Sequence, residues 1–200
     1  MPRCFRAKRA ASVAALALLL GGCAGLTSKA PPPAFDIAAA QSFPRYSGKA
    51  RGQLIISEPT ALAVLDSEKI VVRPGPGETA TFSDAQWQDR LPKLLQARIL
   101  QSFENASRLR AVGRPGERIA GDFQLVVDIR AFELLASRGV AQVEIAAKIV
   151  RERSGRIMAA RVFRASVPTT AVDGPDAVAA LNEAFAKVAT EMVLWAARLI

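Results

Sequence analysis

The chain has 200 residues, half of them hydrophobic, with 27 Lys and Arg against 18 Asp and Glu, two Cys and no His. The absence of His excludes catalysis and metal binding that depend on imidazole, and two Cys are too few for a disulfide-rich domain. Four basic residues lie in a predicted leader, so the net charge of about +9 falls to about +5 without it. Such a modest positive charge, together with only 6% aromatic residues, does not favour nucleic-acid binding.

Residues 1–22 predict a signal peptide. Residues 1–10 contain four basic residues and no acidic one, and residues 11–20 are apolar except for Ser12. This charged segment followed by an apolar one is typical of a secretory signal. As a helix, the apolar run would span about 15 Å of a hydrocarbon core about 30 Å thick, so it is too short to anchor the chain across a membrane.

The tetrapeptide Leu20-Gly21-Gly22-Cys23 resembles the lipobox of bacterial lipoproteins. The resemblance implies that Cys23 is acylated and becomes the first residue of the mature chain. Several acyl chains hold a protein on a bilayer far more firmly than one does. Ala24 rather than Asp follows the Cys, which by the same resemblance implies the outer membrane. The alternative is an ordinary signal-peptide end with a free thiol at Cys23.

Residues 23–48 predict the acylated Cys and a Pro/Ala-rich tether. Pro31, Pro32 and Pro33 stiffen the tether, which would reach about 75 Å if its roughly 25 residues were extended at about 3.1 Å each. Two alternatives stay open, a free linker or a linker packed partly along the domain, because four of its residues are large and apolar: Phe35, Ile37, Phe43 and Tyr46.

The sequence of the first half of the domain predicts mainly short strands. Gln53–Ser57 and Lys69–Arg73 are rich in β-branched residues, and Pro59 and the turn residues Pro74–Gly77 end them. Thr60–Leu65 predicts one helical turn. Thr79–Phe82 predicts a short third strand.

A capping-box pattern at Ser83 and Gln86 predicts the start of the first main helix. Pro92 conflicts with a continuous helix, so we expect a separate first turn and a helix proper from about Leu91. One helical face of this segment is apolar, at Trp87, Leu91, Leu94, Leu95, Ile99 and Phe103.

Three longer segments alternate between apolar and polar residues, at 123–130, 142–149 and 157–167. This period of two predicts an antiparallel sheet with one buried face. The connections at 137–139 and 153–156 are short and contain Gly, so they predict a three-strand meander.

The last helix is predicted from Asp173 as its cap and Pro175 in its first turn. Its apolar stripe is Val178, Leu181, Phe185, Val188, Met192, Trp195 and Leu199. Residues 49–200 thus predict an α+β domain, a two-layer sandwich in which two main helices pack on one face of the antiparallel sheet.

The sequence predicts no enzyme, no metal site and no cofactor apart from the acyl groups on Cys23. It contains no phosphate-binding loop of the G-x-x-x-x-G-K type, and no Ser-His or Cys-His pair is possible. Asp128 and Glu144 could in principle form an acid–base pair. Both alternate with the apolar positions, which favours a solvated sheet face instead.

A cluster of arginines is predicted at the second hairpin of the meander, at Arg151, Arg153 and Arg156. Three further basic residues lie nearby in sequence: Lys148, Arg161 and Arg164. The cluster has two interpretations. It is either a charged hairpin that keeps the sheet soluble, or a surface that meets anionic lipid head groups or an acidic partner.

Five segments behind the lipobox carry a resemblance to a known family: Phe35–Ile37, Ile55–Pro59, Leu65–Arg73, Asp84–Leu95 and Phe123–Phe132, followed by the closing helix. In this order they resemble the ABC-type transport auxiliary lipoprotein component (PqiC-like) family. The resemblance covers nearly the whole mature chain.

The resemblance implies a non-catalytic auxiliary subunit of an MCE/ABC-type system that transports lipid or another hydrophobic solute. The chain would be a lipoprotein on the periplasmic face of the outer membrane. The implied partners are an MCE-domain protein and inner-membrane ABC transporter subunits. Two alternatives from other classes stay open: a periplasmic lipid-binding carrier, and a structural envelope lipoprotein.

Overall fold

The structure is a computed structural model that describes residues 30–44, 52–169 and 171–200. The predicted signal peptide, the lipobox and Cys23 lie outside the described residues, as does Tyr46. The segment Pro32–Ile200 forms one compact unit. The description below concerns this unit.

The described residues form a mixed α+β fold with one sheet and two main helices, which confirms the α+β part of the predicted fold class. A short 3₁₀ turn, Ala136–Arg138, joins the seventh strand to the eighth. The strands and helices are β1 (Ala34–Phe35), β2 (Gln53–Ile56), β3 (Thr60–Ala61), β4 (Lys69–Arg73), β5 (Ala80–Trp87), α1 (Leu91–Ala106), β6 (Ala111–Gly113), β7 (Phe123–Leu135), β8 (Val140–Arg151), β9 (Arg156–Pro168) and α2 (Gly174–Ala196).

Strand β7 is the centre of the sheet because it pairs with four other strands. Along one edge runs β8, antiparallel, with Phe123 opposite Arg151 and Leu135 opposite Val140. Along the other edge, β2, β3 and β4 pair with successive parts of β7, and all three run parallel to it. Strand β9 pairs antiparallel with the outer edge of β8.

The prediction of an antiparallel sheet is wrong for the sheet as a whole, because the sheet is mixed, although β7, β8 and β9 pair antiparallel in the order of the predicted meander. Besides the three strands parallel to β7, β6 is parallel to β2 and β1 is parallel to β5. Only the β4–β5, β7–β8 and β8–β9 pairs among the described strands are antiparallel. Alternation of apolar and polar residues specifies which face of a strand is buried, but it does not specify the direction of the neighbouring strand.

One face of the long strands is buried beneath the helices. On β7, Leu125, Val127 and Ile129 are at most 1% exposed, whereas Asp128 and Arg130 between and beside them are exposed. Helix α2 packs against β8 and β9 and also contacts α1. Both helices therefore bury their apolar sides in a single core.

Helix α2 begins where the sequence predicts. The Asp173 carboxylate accepts a hydrogen bond from the backbone N–H of Asp176 at 2.9 Å, and Pro175 lies in the first turn. The apolar stripe is buried as far as Met192. Trp195 is partly buried and packs edge-to-face on Phe163 with ring centroids 5.5 Å apart. Leu199 lies beyond the helix and is exposed.

The capping-box prediction for α1 is wrong. Ser83 and Gln86 belong to β5, which extends the predicted strand Thr79–Phe82 as far as Trp87. The Trp87 backbone N–H donates to the Glu68 carbonyl at 2.7 Å, and its buried ring lies 5.7 Å from that of Phe132. Strand pairing and aromatic packing thus outweigh a local helical signal, and the helix begins at Leu91, as expected for the helix proper.

The segment Thr60–Leu65 is only partly the predicted helical turn. Its first two residues form β3, opposite Asp128 and Ile129 of β7. A turn follows, in which the Leu62 carbonyl accepts hydrogen bonds from the N–H groups of Leu65 and Asp66. Thr60 and Ala61 form a strand because they pair with an edge of β7, which the local sequence does not reveal.

Part of the predicted tether belongs to the domain. Strand β1 pairs with the end of β5, and Ile37 is fully buried in the core. The backbone N–H of Ala40 donates to Ser102 Oγ at 3.0 Å, and Asn105 Nδ2 donates to the Ala40 carbonyl at 2.9 Å. Of the two alternatives, the packed linker is therefore correct for residues 34–40, and the domain begins before residue 49.

Candidate functional site

The three arginines at the β8–β9 hairpin lie close together, as their spacing predicts. We call Arg151, Arg153 and Arg156 the basic tip. Arg151 ends β8, Arg156 begins β9, and these two residues are directly opposite each other in the register. The turn between them closes through Gly155, which has φ +63°. Like charges directly opposite each other on paired strands are destabilising.

A cavity of about 340 Å³ adjoins the basic tip. The Arg151 guanidinium lies 5.2 Å from the centroid of the Phe123 ring, a distance that allows a cation–π interaction. Asp122 also lines the cavity, and one of its carboxylate oxygens accepts a hydrogen bond from the backbone N–H of Gln53 at 3.0 Å. The cavity thus combines guanidinium groups, an aromatic edge and one carboxylate.

Two large apolar side chains lie exposed next to the basic tip. Ile157 is 54% exposed and Met158 is 39% exposed. Ile157 is opposite Val150 in the register, one position along from the Arg151–Arg156 pair. This end of the sheet therefore presents positive charge and apolar surface together.

The other basic residues near the hairpin are engaged differently. Arg164 binds Glu144 through two hydrogen bonds of 2.7 and 3.0 Å, and Arg161 lies 3.2 Å from the Glu191 carboxylate. Within residues 30–44, 52–169 and 171–200, no carboxylate lies within ion-pair distance of the basic tip or of Lys148.

Asp128 and Glu144 belong to a row of ion pairs on the solvated sheet face. Arg130 lies 3.4 Å from Asp128 and 3.6 Å from Glu144, and Arg164 binds Glu144 from the next strand. The hydrogen bonds from Arg164 lower the pKa of Glu144 below its ordinary value. A carboxyl group with a lowered pKa is a poor general acid at neutral pH, so the row stabilises the strands rather than transferring protons.

A second concave surface lies between the segment Ala39–Ser42 and the outer side of α2. It is an open groove of about 560 Å³ with small side chains such as Ala39 and Ala186 on its walls and charged ones such as Glu183 and Lys187 at its rim. The sequence did not predict this groove. It depends on the packing of the predicted tether on the domain, which the sequence left open as one of two alternatives.

Neither metal ligation nor membrane spanning is supported by the described part of the chain. No group of three or more Cys, Asp or Glu side chains in it is placed to hold a metal ion. None of the helices in it is both long and apolar enough to cross a bilayer.

A comparison with protein families finds a match. The model of the ABC-type transport auxiliary lipoprotein component family matches residues 35–193. These residues extend from β1 into the last turns of α2.

One relative and two solved structures are similar to this chain. An uncharacterized protein of Bradyrhizobium diazoefficiens is 36% identical over 163 residues, which cover 80% of this chain but only 44% of that protein. A crystal structure of a Xanthomonas campestris protein is similar with a TM-score of 0.76 and 26% identity, over 84% of this chain and 96% of that one. A second crystal structure, of an uncharacterized protein, shares the fold with a TM-score of 0.59 at 13% identity, over 76% of this chain and 98% of that one.

Proposed function

The chain belongs to the ABC-type transport auxiliary lipoprotein component family, and on this premise we propose that it is a non-catalytic auxiliary subunit of an MCE/ABC-type transport system. The proposed cargo is a lipid or another hydrophobic solute. The family match over residues 35–193 carries the proposal, because it includes the core of the fold rather than one motif.

We place the protein on the periplasmic face of the outer membrane, attached through acyl groups on Cys23. The support is the order of basic segment, apolar segment and Leu-Gly-Gly-Cys, with Ala24 after the Cys. Several acyl chains make a stable anchor for a compact domain without a membrane-spanning helix.

A non-catalytic role fits the chemistry of the described surface. The chain has no His, and the carboxylates of the sheet face pair with arginines of the same strand or of a neighbouring one. Such a subunit would act by binding an MCE-domain protein and the inner-membrane ABC transporter subunits, which supply the ATP hydrolysis. This chain spans less than half the length of its Bradyrhizobium relative.

The carrier alternative requires α2 and the sheet to enclose an acyl chain. The stripe of α2 instead packs on the sheet, with Phe185, Leu181 and Met192 fully buried. The described side chains thus occupy the space where the carrier hypothesis places a lipid tail, which favours the auxiliary role.

The test combines palmitate labelling with crosslinking in cells. Cys23→Ser should abolish the label and detach the protein from the outer membrane, while the control Cys4→Ser should leave both unchanged because Cys4 lies in the signal peptide. Crosslinking of the wild-type chain should recover transporter subunits and an MCE-domain protein. An unlabelled wild-type chain would contradict the anchor, and recovery of no transporter subunit would contradict the auxiliary role.

A further inference from the structure

We propose that the basic tip, together with Ile157 and Met158, is a membrane-contact surface that binds the phosphate groups of anionic phospholipids in a bilayer. This inference concerns the surface by which the folded domain meets a membrane. It requires neither the transport role nor acylation of Cys23.

The first argument is the unfavourable placement of charge. Arg151 and Arg156 face each other across the β8–β9 pair, and the described residues offer neither of them a carboxylate at ion-pair distance. By contrast, the sheet places the Glu144 carboxylate beside Arg130 and Arg164, and helix α2 places that of Glu191 beside Arg161. An arrangement of like charges without internal compensation is stabilised when an external anion binds between them.

The second argument is the chemistry of the arginines. A guanidinium group presents a planar set of donors that matches phosphate oxygens, and it is more weakly hydrated than an ammonium group. All three charges of the basic tip are arginines. The Phe123 ring lies beneath the Arg151 guanidinium at a distance that allows a cation–π interaction.

The third argument selects a bilayer rather than an acidic protein as the partner. Ile157 and Met158 are exposed beside the arginines, and apolar side chains next to cationic ones fit the boundary between head groups and acyl chains. The acids nearby do not cancel the positive charge. Asp122 and Glu152 are two carboxylates against three guanidinium groups, and Asp122 is already hydrogen-bonded to the Gln53 backbone.

The test uses the full-length chain on lipid vesicles and measures by fluorescence quenching whether the basic tip contacts the bilayer. Ile157→Trp places a fluorophore beside the basic tip, and Ser137→Trp places one in the Ala136–Arg138 turn at the opposite end of the β7–β8 pair. Vesicles are made of phosphatidylcholine alone or with one third phosphatidylglycerol, with bromine on the acyl chains as quencher. Because the quenching is local, the result does not depend on which N-terminal group attaches the chain to the vesicle.

We expect quenching of the I157W chain on vesicles with phosphatidylglycerol, little on phosphatidylcholine alone, and none for the S137W chain on either. Adding Arg153→Glu should weaken the interaction about fivefold or more, since one basic residue near an anionic surface changes association by about that factor. Arg138→Glu makes the same charge change in the other hairpin and should leave the quenching intact. High salt should reduce it.

Two outcomes would overturn the proposal. One is equal quenching at positions 157 and 137, which would mean that the domain has no preferred face toward the bilayer. The other is the absence of quenching on anionic vesicles together with protection of the tip by an acidic protein subunit, which would assign the arginines to a protein interface. Circular dichroism of each variant checks that the exposed substitutions leave the fold unchanged.

Discussion

The Arg73 guanidinium binds the nearly buried carboxylate of Glu133 at 2.9 Å and thereby joins β4 to β7. Arg73 also donates to Thr79 Oγ1 at 2.6 Å, so that the same side chain holds the end of β4 to the residue just before β5. Glu133 is one of only three polar residues that are buried among the described ones. The pair therefore joins the side chains of β4 and β7 where these two strands run parallel.

Removal of Arg73 should destabilise the domain. Arg73→Ala leaves the Glu133 carboxylate without its partner in a site that is 7% exposed, and we expect a loss of about 1–3 kcal/mol in the free energy of unfolding. Urea denaturation measures this. The control Arg114→Ala breaks an exposed pair with Glu117 and should change stability by less than about 1 kcal/mol. Equal effects of the two substitutions would contradict the role of the buried pair.

Truncation of Ile37 tests whether the predicted tether belongs to the core. Ile37→Ala should lower the free energy of unfolding by about 2–5 kcal/mol because the side chain is fully buried. Ile157→Ala removes the same atoms from an exposed position and should have an effect within about 0.5 kcal/mol. If thermal unfolding of the Ile37 variant matched the wild type, residues 34–40 would be a free linker after all.

A side chain at Gly174 should force α2 away from β5. A Cβ there would lie 2.3 Å from the Ala85 Cβ and 2.9 Å from Asp84 Oδ1, so Gly174→Ala should cost about 1–3 kcal/mol in stability. Gly75→Ala is the matched control, since its Cβ would make only ordinary contacts with Glu78 and its φ is not positive. Differential scanning calorimetry should show a lower Tm for the first variant only.

The Glu144–Arg164 pair should contribute a pH-dependent part of the stability. Hydrogen bonds from Arg164 lower the pKa of Glu144 in the folded state from its ordinary value of 4.5. A lowered folded-state pKa gives stability that is present above about pH 4.5 and is lost as the pH falls through the folded-state value.

Glu144→Gln should therefore be less stable than the wild type at pH 7, and the difference should shrink when urea unfolding is repeated at progressively lower pH below 4.5. Arg164→Ala should show the same trend, since it removes the cause of the lowered pKa. A stability difference that stayed constant from pH 7 to pH 3 would contradict this account.

The sequence predicted the elements whose signals are local. Asp173 and Pro175 mark the start of α2, and the alternation in β7 and β8 marks their buried face. The basic tip was also predictable, because three arginines around a four-residue turn must lie near one another.

Elements that depend on distant partners were not predicted. Strands β1 and β6 have two and three residues, and each forms only because β5 or β2 offers a free edge. Trp87 fits a helical spacing, yet its ring packs on Phe132, 45 positions along the chain. The contact of Arg151 with Phe123 likewise follows from the β7–β8 register rather than from nearby residues.

The pairing of β1 with β5 shortens the linker by which an acylated Cys23 would hold the domain. Since Phe35 is fixed in the sheet, about eleven residues separate it from that Cys, and even fully stretched at about 3.6 Å each they would reach roughly 40 Å instead of the 75 Å of a tether ending at residue 48. If Cys23 is acylated, the domain would therefore remain close to the bilayer that holds the acyl chains. A partner anchored in another membrane would have to cover the remaining distance itself.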